Sequence, residues 1–227
     1  MIYNILNGGG IVLGALIGRI AGHKMSDEQI DSILVIANLS LLVIGIQGAI
    51  QTENSMLMML SLVLGGIAGT AIDIEDKFYK LGELLQSNFK GSDPRYTKGV
   101  VQVMMIHAIG SMAIIGPVNA ALKNDGSLLI LKTVLDLISS MIFSTSFGFG
   151  VAISGITTFT YQSFFFLIAR FISPVLTPEV INEISAIGSL LIVALSFNLL
   201  KMKEIKISNY LPAILGPIVY HFIRMFI

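Results

Sequence analysis

The residues best suited to chemistry are Lys132 and Asp136, four positions apart inside the apolar run Leu128 to Ile153. That spacing puts both side chains on one face of a helix, within pairing distance. A charge sunk in hydrocarbon costs at least a few kcal/mol, so an ionisable pair there marks a substrate or ion path unless it serves only as a structural ion pair. Lys132 lies about one turn from the end of its run, so its stem could also carry the ammonium to a membrane surface. The run continues through Ser139, Ser140, Ser144, Thr145, Ser146, Gly148 and Gly150. Small residues let helices approach closely and their hydroxyls can coordinate ions or substrate, so this stretch reads as a helix contact or as the wall of a path. Ser111, Asn38, Gln47 and Asn198 are further polar groups in apolar surroundings and join it as candidate pathway residues.

Other chemistries find little support. His23, His107 and His221 show no metal-ligand spacing and no HExxH pattern. His107 alone lies well inside an apolar stretch, where it reads as a hydrogen-bonded packing residue or a proton relay. Ser139 and Lys132 are seven residues apart, about 10 Å along a helix, too far for direct proton exchange between them. No catalytic constellation is visible, and the expectation is a protein that is not an enzyme. Cysteine is absent, which excludes disulfides, thiolate metal sites and thiol nucleophiles together. Asn7-Gly8-Gly9-Gly10, with Gly14 and Gly18, forms a small-residue face without a Walker lysine, a packing surface rather than a phosphate cradle. Formal net charge is zero and no Lys/Arg run appears, so nucleic acid is not an expected partner. Neither a cofactor nor a bound metal is expected.

The elements that must position these residues are membrane helices. Hydrophobic residues make up 54% of the 227 positions and charged residues 12%, against about 25% charged in soluble domains. Eight stretches approach the roughly 20 apolar residues that cross a bilayer: Tyr3 to Gly22, Ile30 to Ile50, Ser55 to Ile74, Val100 to Leu122, Leu128 to Ile153, Ile156 to Leu176, Ile184 to Leu200 and Ser208 to Phe226. The N-terminus lacks the basic region and cleavage site of a signal peptide, so the first stretch is expected to remain as a span. Between the third and fourth, Glu75 to Leu85 mixes charges with apolar residues at helical spacing. It reads as an interfacial amphipathic helix or as an extension of the third span, broken by Gly91-Ser92-Asp93-Pro94. Gly116-Pro117 weakens the fourth span, as a packing kink or as a break whose freed carbonyls face protein or a watery cavity. The fifth, from Gly126 to Ser154, exceeds the hydrocarbon thickness if it is straight, so it is tilted, or broken near Gly148 and Gly150.

Sliding the chain along itself by 151 residues gives 16 identities over 76 overlapping positions, about twice what shared composition alone would give. Leu16-Ile17-Gly18-Arg19 falls on Leu167-Ile168-Ala169-Arg170, and Leu64-Gly65-Gly66-Ile67 on Leu215-Gly216-Pro217-Ile218. Asn38 falls on Ser189 and Gln47 on Asn198. Because the repeat relates spans one to three with spans six to eight, its copies enter the membrane from opposite faces, as in many secondary transporters. The expected organisation is all-α and integral to the membrane: residues 1–76 as the first repeat, 77–99 as amphipathic helix and cytoplasmic loop, 100–153 as two central spans, and 154–227 as the inverted copy.

Ten Lys/Arg residues fall on one side of such a chain and three on the other, which puts both termini outside the cytoplasm. The chain resembles the YqgA family of uncharacterised bacterial membrane proteins through Ser61-Leu62-Val63-Leu64-Gly65-Gly66, Ile74-Glu75-Asp76-Lys77, Gly110-Ser111-Met112-Ala113-Ile114-Ile115-Gly116, Lys132-Thr133-Val134-Leu135-Asp136, Ser146-Phe147-Gly148-Phe149-Gly150-Val151, Tyr161-Gln162 and Asn209-Tyr210-Leu211-Pro212-Ala213. The resemblance implies an integral membrane protein with a transport role and names no substrate. Secondary transport of a small polar or ionic solute across the bacterial inner membrane is the expected function, by alternating access in a homodimer. A passive channel and a non-transporting scaffold are the alternatives.

Overall fold

The computed structural model describes residues 1–86 and 94–224. The helices are α1 (Ile2–Gly22), α2 (Asp27–Ala49), α3 (Ser55–Ile72), α4 (Ile74–Gln86), α5 (Pro94–Ala108), α6 (Met112–Lys123), α7 (Ser127–Phe147), α8 (Ile153–Ile172), α9 (Pro178–Leu199) and α10 (Gly216–Arg224). Short 3-10 helices run over Gly148–Ala152 and Ile207–Leu215. No strand occurs among the described residues. The expected break at Gly91 to Asp93, and Phe226 at the end of the eighth stretch, lie outside them.

Local chemistry sets the helix ends. Ser26 and Gln29 exchange side-chain and backbone hydrogen bonds at 3.3 and 3.0 Å, a capping box that starts α2. Asn54 accepts from the Leu57 N–H to start α3, and Thr177 accepts from Val180 to start α9, with Pro178 in its first turn. Asp73, at φ 48°, closes α3 before α4 begins.

Five helical stretches are long and apolar enough to cross a membrane, or six if the bent pair α5 and α6 counts as one. The eight separate spans expected above are thus not all present as long helices. The described part of the eighth stretch, residues 208–224, is a 3-10 helix followed by the nine-residue α10, because Pro212 and Pro217 both remove backbone donors there. The fifth and sixth stretches form one 46-residue apolar run, interrupted at Gly148–Ala152 as its glycines lead one to expect. Gly148 adopts φ 67°, ψ −168°, a conformation open in practice only to glycine.

The break in the fourth stretch lies elsewhere than expected. α6 runs through Gly116-Pro117, and the axes of Val100–Ala108 and Met112–Lys123 differ by 50° across Gly110, at φ 113°. Pro117 withholds one N–H at the sixth of the twelve residues of α6, whereas Gly110 turns the backbone itself out of the helical region. Gly116 serves packing: a Cβ there would lie 2.9 Å from Leu129 Cδ2.

The chain divides into two compact units, 1–37, 79–108 and 112–169 in the first and 38–78, 109–111 and 170–227 in the second. In the first, Gly10, Gly14, Gly18 and Gly22 of α1 lie in turn against Thr133, Leu137, Met141 and Thr145 of α7. Both ladders advance four residues at a time, so α1 and α7 run parallel with their backbones touching, as small-residue faces permit in membranes. Ser144 Oγ donates to the Ala15 carbonyl at 2.6 Å across this contact. α8 meets α1 in the opposite sense: a Cβ on Gly8 would lie 3.2 Å from Phe159 Cβ, and one on Gly155 3.1 Å from Val12 Cγ2.

In the second unit, α3 packs against Ile207–Leu215 and α10 in antiparallel sense, Gly69 on Asn209, Gly65 on Ala213 and Ser61 on Gly216. Gly45 and Gly48 of α2 face Val193 and Ser189 of α9 in the same antiparallel way. Buried Glu183 secures the turn between α2 and α3, accepting from Thr52 Oγ1 at 2.6 Å and from the N–H groups of Glu53 and Asn54 at 2.8 and 3.2 Å. Large apolar side chains remain exposed along α2, among them Val43, Ile44 and Ile46, and along α3, Val63, Leu64 and Ile67. Lipid, which solvates apolar side chains, accounts for such faces better than water.

Candidate functional site

The first unit brings Lys132 and Asp136 together as the sequence spacing requires. Lys132 Nζ lies 2.9 Å from Asp136 Oδ1, and both side chains are 7% exposed. Lys132 therefore keeps its ammonium buried against Asp136. α1 supplies a third member, Asn7, fully buried, whose Nδ2 donates to Asp136 Oδ2 at 3.0 Å. One carboxylate oxygen thus faces a cation and the other an amide. The glycine ladder makes this possible, because only the touching backbones of α1 and α7 leave Asn7 within reach of Asp136.

His107 of α5 lies against the same turn of α7. Its ring is fully buried, with Nε2 2.9 Å from Ser139 Oγ and Nδ1 3.0 Å from Ser154 Oγ. Ser140 Oγ stands 3.5 Å from Nε2. Ser139 and Ser154 also donate to the carbonyls of Asp136 and Val151, at 3.0 and 2.6 Å. A neutral imidazole has one donor and one acceptor. With such a ring, one of the two serines must turn its proton from its carbonyl to the ring, and the two choices are the two tautomers. His107 is thereby hydrogen-bonded packing and also a connection from Ser154 to the backbone of Asp136.

The remaining residues of the stretch have more local roles. Ser144 joins α7 to α1, and Thr145 Oγ1 donates within its own helix to the Ile142 carbonyl at 2.7 Å. Ser146 Oγ is buried with no hydrogen-bond partner. Gly148 ends α7 and Gly150 lies in the 3-10 turn. Ser111, Asn38, Gln47 and Asn198 belong to the second unit. There Asn38 is 2% exposed with an unpartnered Oδ1, Gln47 is exposed, and Ser111 is half-buried in the turn after Gly110. Asn198 closes the loop after α9 by bonding both ways with Ile205, at 2.7 and 2.8 Å. An open groove of about 500 Å³ in the second unit is lined by Leu62, Val63, Gly66, Ile67, Thr70 and Tyr210, with no charged side chain.

Sequence reasoning passed over Asn7, read only as part of a small-residue face, and three further buried polar residues, Asn4, Thr158 and Gln162. The signal was there in part: Asn4 and Asn7 are three apart on one helical face in an otherwise apolar stretch. Glu183 was also missed. Its position near the start of α9 gives no hint that the turn before α3 lies above it.

The profile of a protein family of unknown function, DUF554, matches residues 2–222. An uncharacterised membrane protein of Bacillus subtilis (strain 168), YdfK, is 31% identical over 217 residues, covering 94% of this chain and 92% of its own. The uncharacterised protein YqgA of Escherichia coli (strain K12) is 26% identical over 215 residues, covering 92% of each. No solved structure matches the chain.

Proposed function

The chain belongs to the DUF554 family of proteins of unknown function, and for this member we propose secondary transport of a small polar or ionic solute, by alternating access, with Lys132 and Asp136 at the site. The observation that carries the proposal is the ion pair itself, buried in a helix whose other faces expose Ile130, Leu131, Val134, Leu135 and Ile138. Replacing a buried pair with apolar residues often costs nothing. A pair retained at membrane depth points to a use for its charges.

Several features support an inverted repeat of eight passes. α1 and α8 begin at Ile2 and Ile153, and α2 and α9 at Asp27 and Pro178, each pair 151 residues apart. Ser26 and Thr177, which cap α2 and α9, stand at the same offset. Eight alternating passes require the first and fifth to run parallel, and the first and sixth, second and seventh, and third and eighth to run antiparallel. The packing of α1 with α7, α1 with α8, α2 with α9 and α3 with α10 follows that pattern. The reversal of α8 against α1 also favours two passes for the 46-residue run, because about 69 Å of helix is more than twice the hydrocarbon thickness. Residence in the inner membrane with both termini outside the cytoplasm, and assembly as a homodimer, belong to the same proposal. A mass measurement in mild detergent that finds only monomer removes the dimer.

The transport reading is tested with single cysteines placed along residues 139–150 of the cysteine-free chain. Transport predicts that some react with a membrane-impermeant thiol reagent from one side, and that solute changes which ones. A set that never reacts from either side ends the reading. Large unitary currents in planar bilayers indicate a channel instead, and activity in cells that survives Asp136→Asn indicates a scaffold.

A further inference from the structure

Asn4, Asn7, Thr158 and Gln162 are each at most 1% exposed, yet Asn4 and Gln162 have no partner for either amide atom, nor have Asn7 Oδ1 and Thr158 Oγ1. Leaving such groups unsatisfied costs about 1–3 kcal/mol apiece, and four of these six atoms are oxygens, which a cation can satisfy. They share one neighbourhood. Asn4, Asn7 and Gly8 share one side of α1, and Gly155, Thr158 and Gln162, spaced three and four apart, share one side of α8. Gly8 and Gly155 touch, and the antiparallel crossing runs Thr158 and Gln162 back alongside Asn7 and Asn4.

The chemistry of the cluster selects the ligand. Asn7 gives its N–H to Asp136, so its free end is the carbonyl oxygen, polarised by the carboxylate behind it. Asn4, Thr158 and Gln162 each add an oxygen. Several neutral side-chain oxygens backed by one carboxylate are hard ligands suited to a hard cation. Among the described residues no three of His, Asp and Glu gather as a metal site, which argues against a divalent ion. We propose that Asn4, Asn7, Thr158 and Gln162, backed by Asp136, form a binding site for an alkali cation, the transported or coupling ion. The site rests on the transport reading only for what the ion does, not for its binding. Lys132 competes with the cation for Asp136, so its positive charge keeps affinity moderate enough for release.

Binding is measured on the purified full-length protein in detergent, as thermal stabilisation by lithium, sodium or potassium chloride against choline chloride at equal ionic strength, and as retention of radioactive sodium or rubidium. At least one alkali cation is expected to stabilise where choline does not. Thr158→Val, which keeps shape, and Gln162→Leu are expected to weaken binding tenfold or more, Asp136→Asn to abolish it, and Lys132→Gln to tighten it. Gel filtration identifies any variant that fails to fold, and Thr158→Val then carries the test. Indifference of the wild-type protein to all three cations overturns the site, as does unchanged binding in both Thr158→Val and Gln162→Leu. Cation binding without any flux in proteoliposomes leaves the site standing and overturns the transport reading. Flux that ignores alkali cations does the reverse.

Discussion

Asp136→Asn and Lys132→Met are each expected to destabilise the protein, and the double variant less than either. At the 2.9 Å separation of Nζ and Oδ1, an effective dielectric constant near 20 gives a gross attraction of about 6 kcal/mol. Either single change removes that attraction and leaves the survivor buried without its partner, for which a loss of roughly 3–5 kcal/mol is typical. The double variant has no charge to confine and keeps a carbonyl for the Asn7 amide. It is therefore expected to be more stable than either single variant. Reversible unfolding of all four proteins in mixed micelles measures the coupling as a double-mutant cycle. Single losses that are small and simply add in the double variant refute the reasoning, because they mean that water solvates the pair.

Further expectations concern the packing that positions the site. Gly14→Leu drives a side chain into the Leu137 backbone and is expected to separate α1 from α7 with a large loss of thermal stability, whereas Gly9→Ala meets nothing within 4 Å and is expected to gain about 0.5–1 kcal/mol. Gly110→Ala also meets nothing within 4 Å, so the roughly 1–3 kcal/mol expected loss reports the φ of 113° alone. Glu183→Gln turns an N–H toward donors that need an acceptor. It is expected to cost about 1–3 kcal/mol in denaturant unfolding, with Thr52→Val costing less.

Much of the fold was legible because the bilayer imposes a one-dimensional rule. Any stretch of apolar residues long enough to cross must satisfy its own backbone as helix, so α1, α2, α3, α7, α8 and α9 fall close to the stretches read from hydropathy. The break at Gly148 was visible too, since length and glycine pointed to the same place. The bend in the fourth stretch was misplaced to Gly116-Pro117 because a proline's missing bond is written in the sequence. Gly110 instead lies against Gly188 of α9, a contact that the sequence does not write.

The Lys132–Asp136 pair belongs to the sequence alone: four residues on one helix bring them together whatever surrounds them. What stands behind the pair was decided only in three dimensions. Asn7 reaches Asp136 from 129 residues away because glycines let two parallel helices touch, and His107 reaches Ser139 from α5 across the same packed interior. Asn4, Thr158 and Gln162 look like ordinary polar insertions along the chain. Their meaning comes from burial without partners at a helix crossing, which is a property of how backbones approach, not of any segment read by itself.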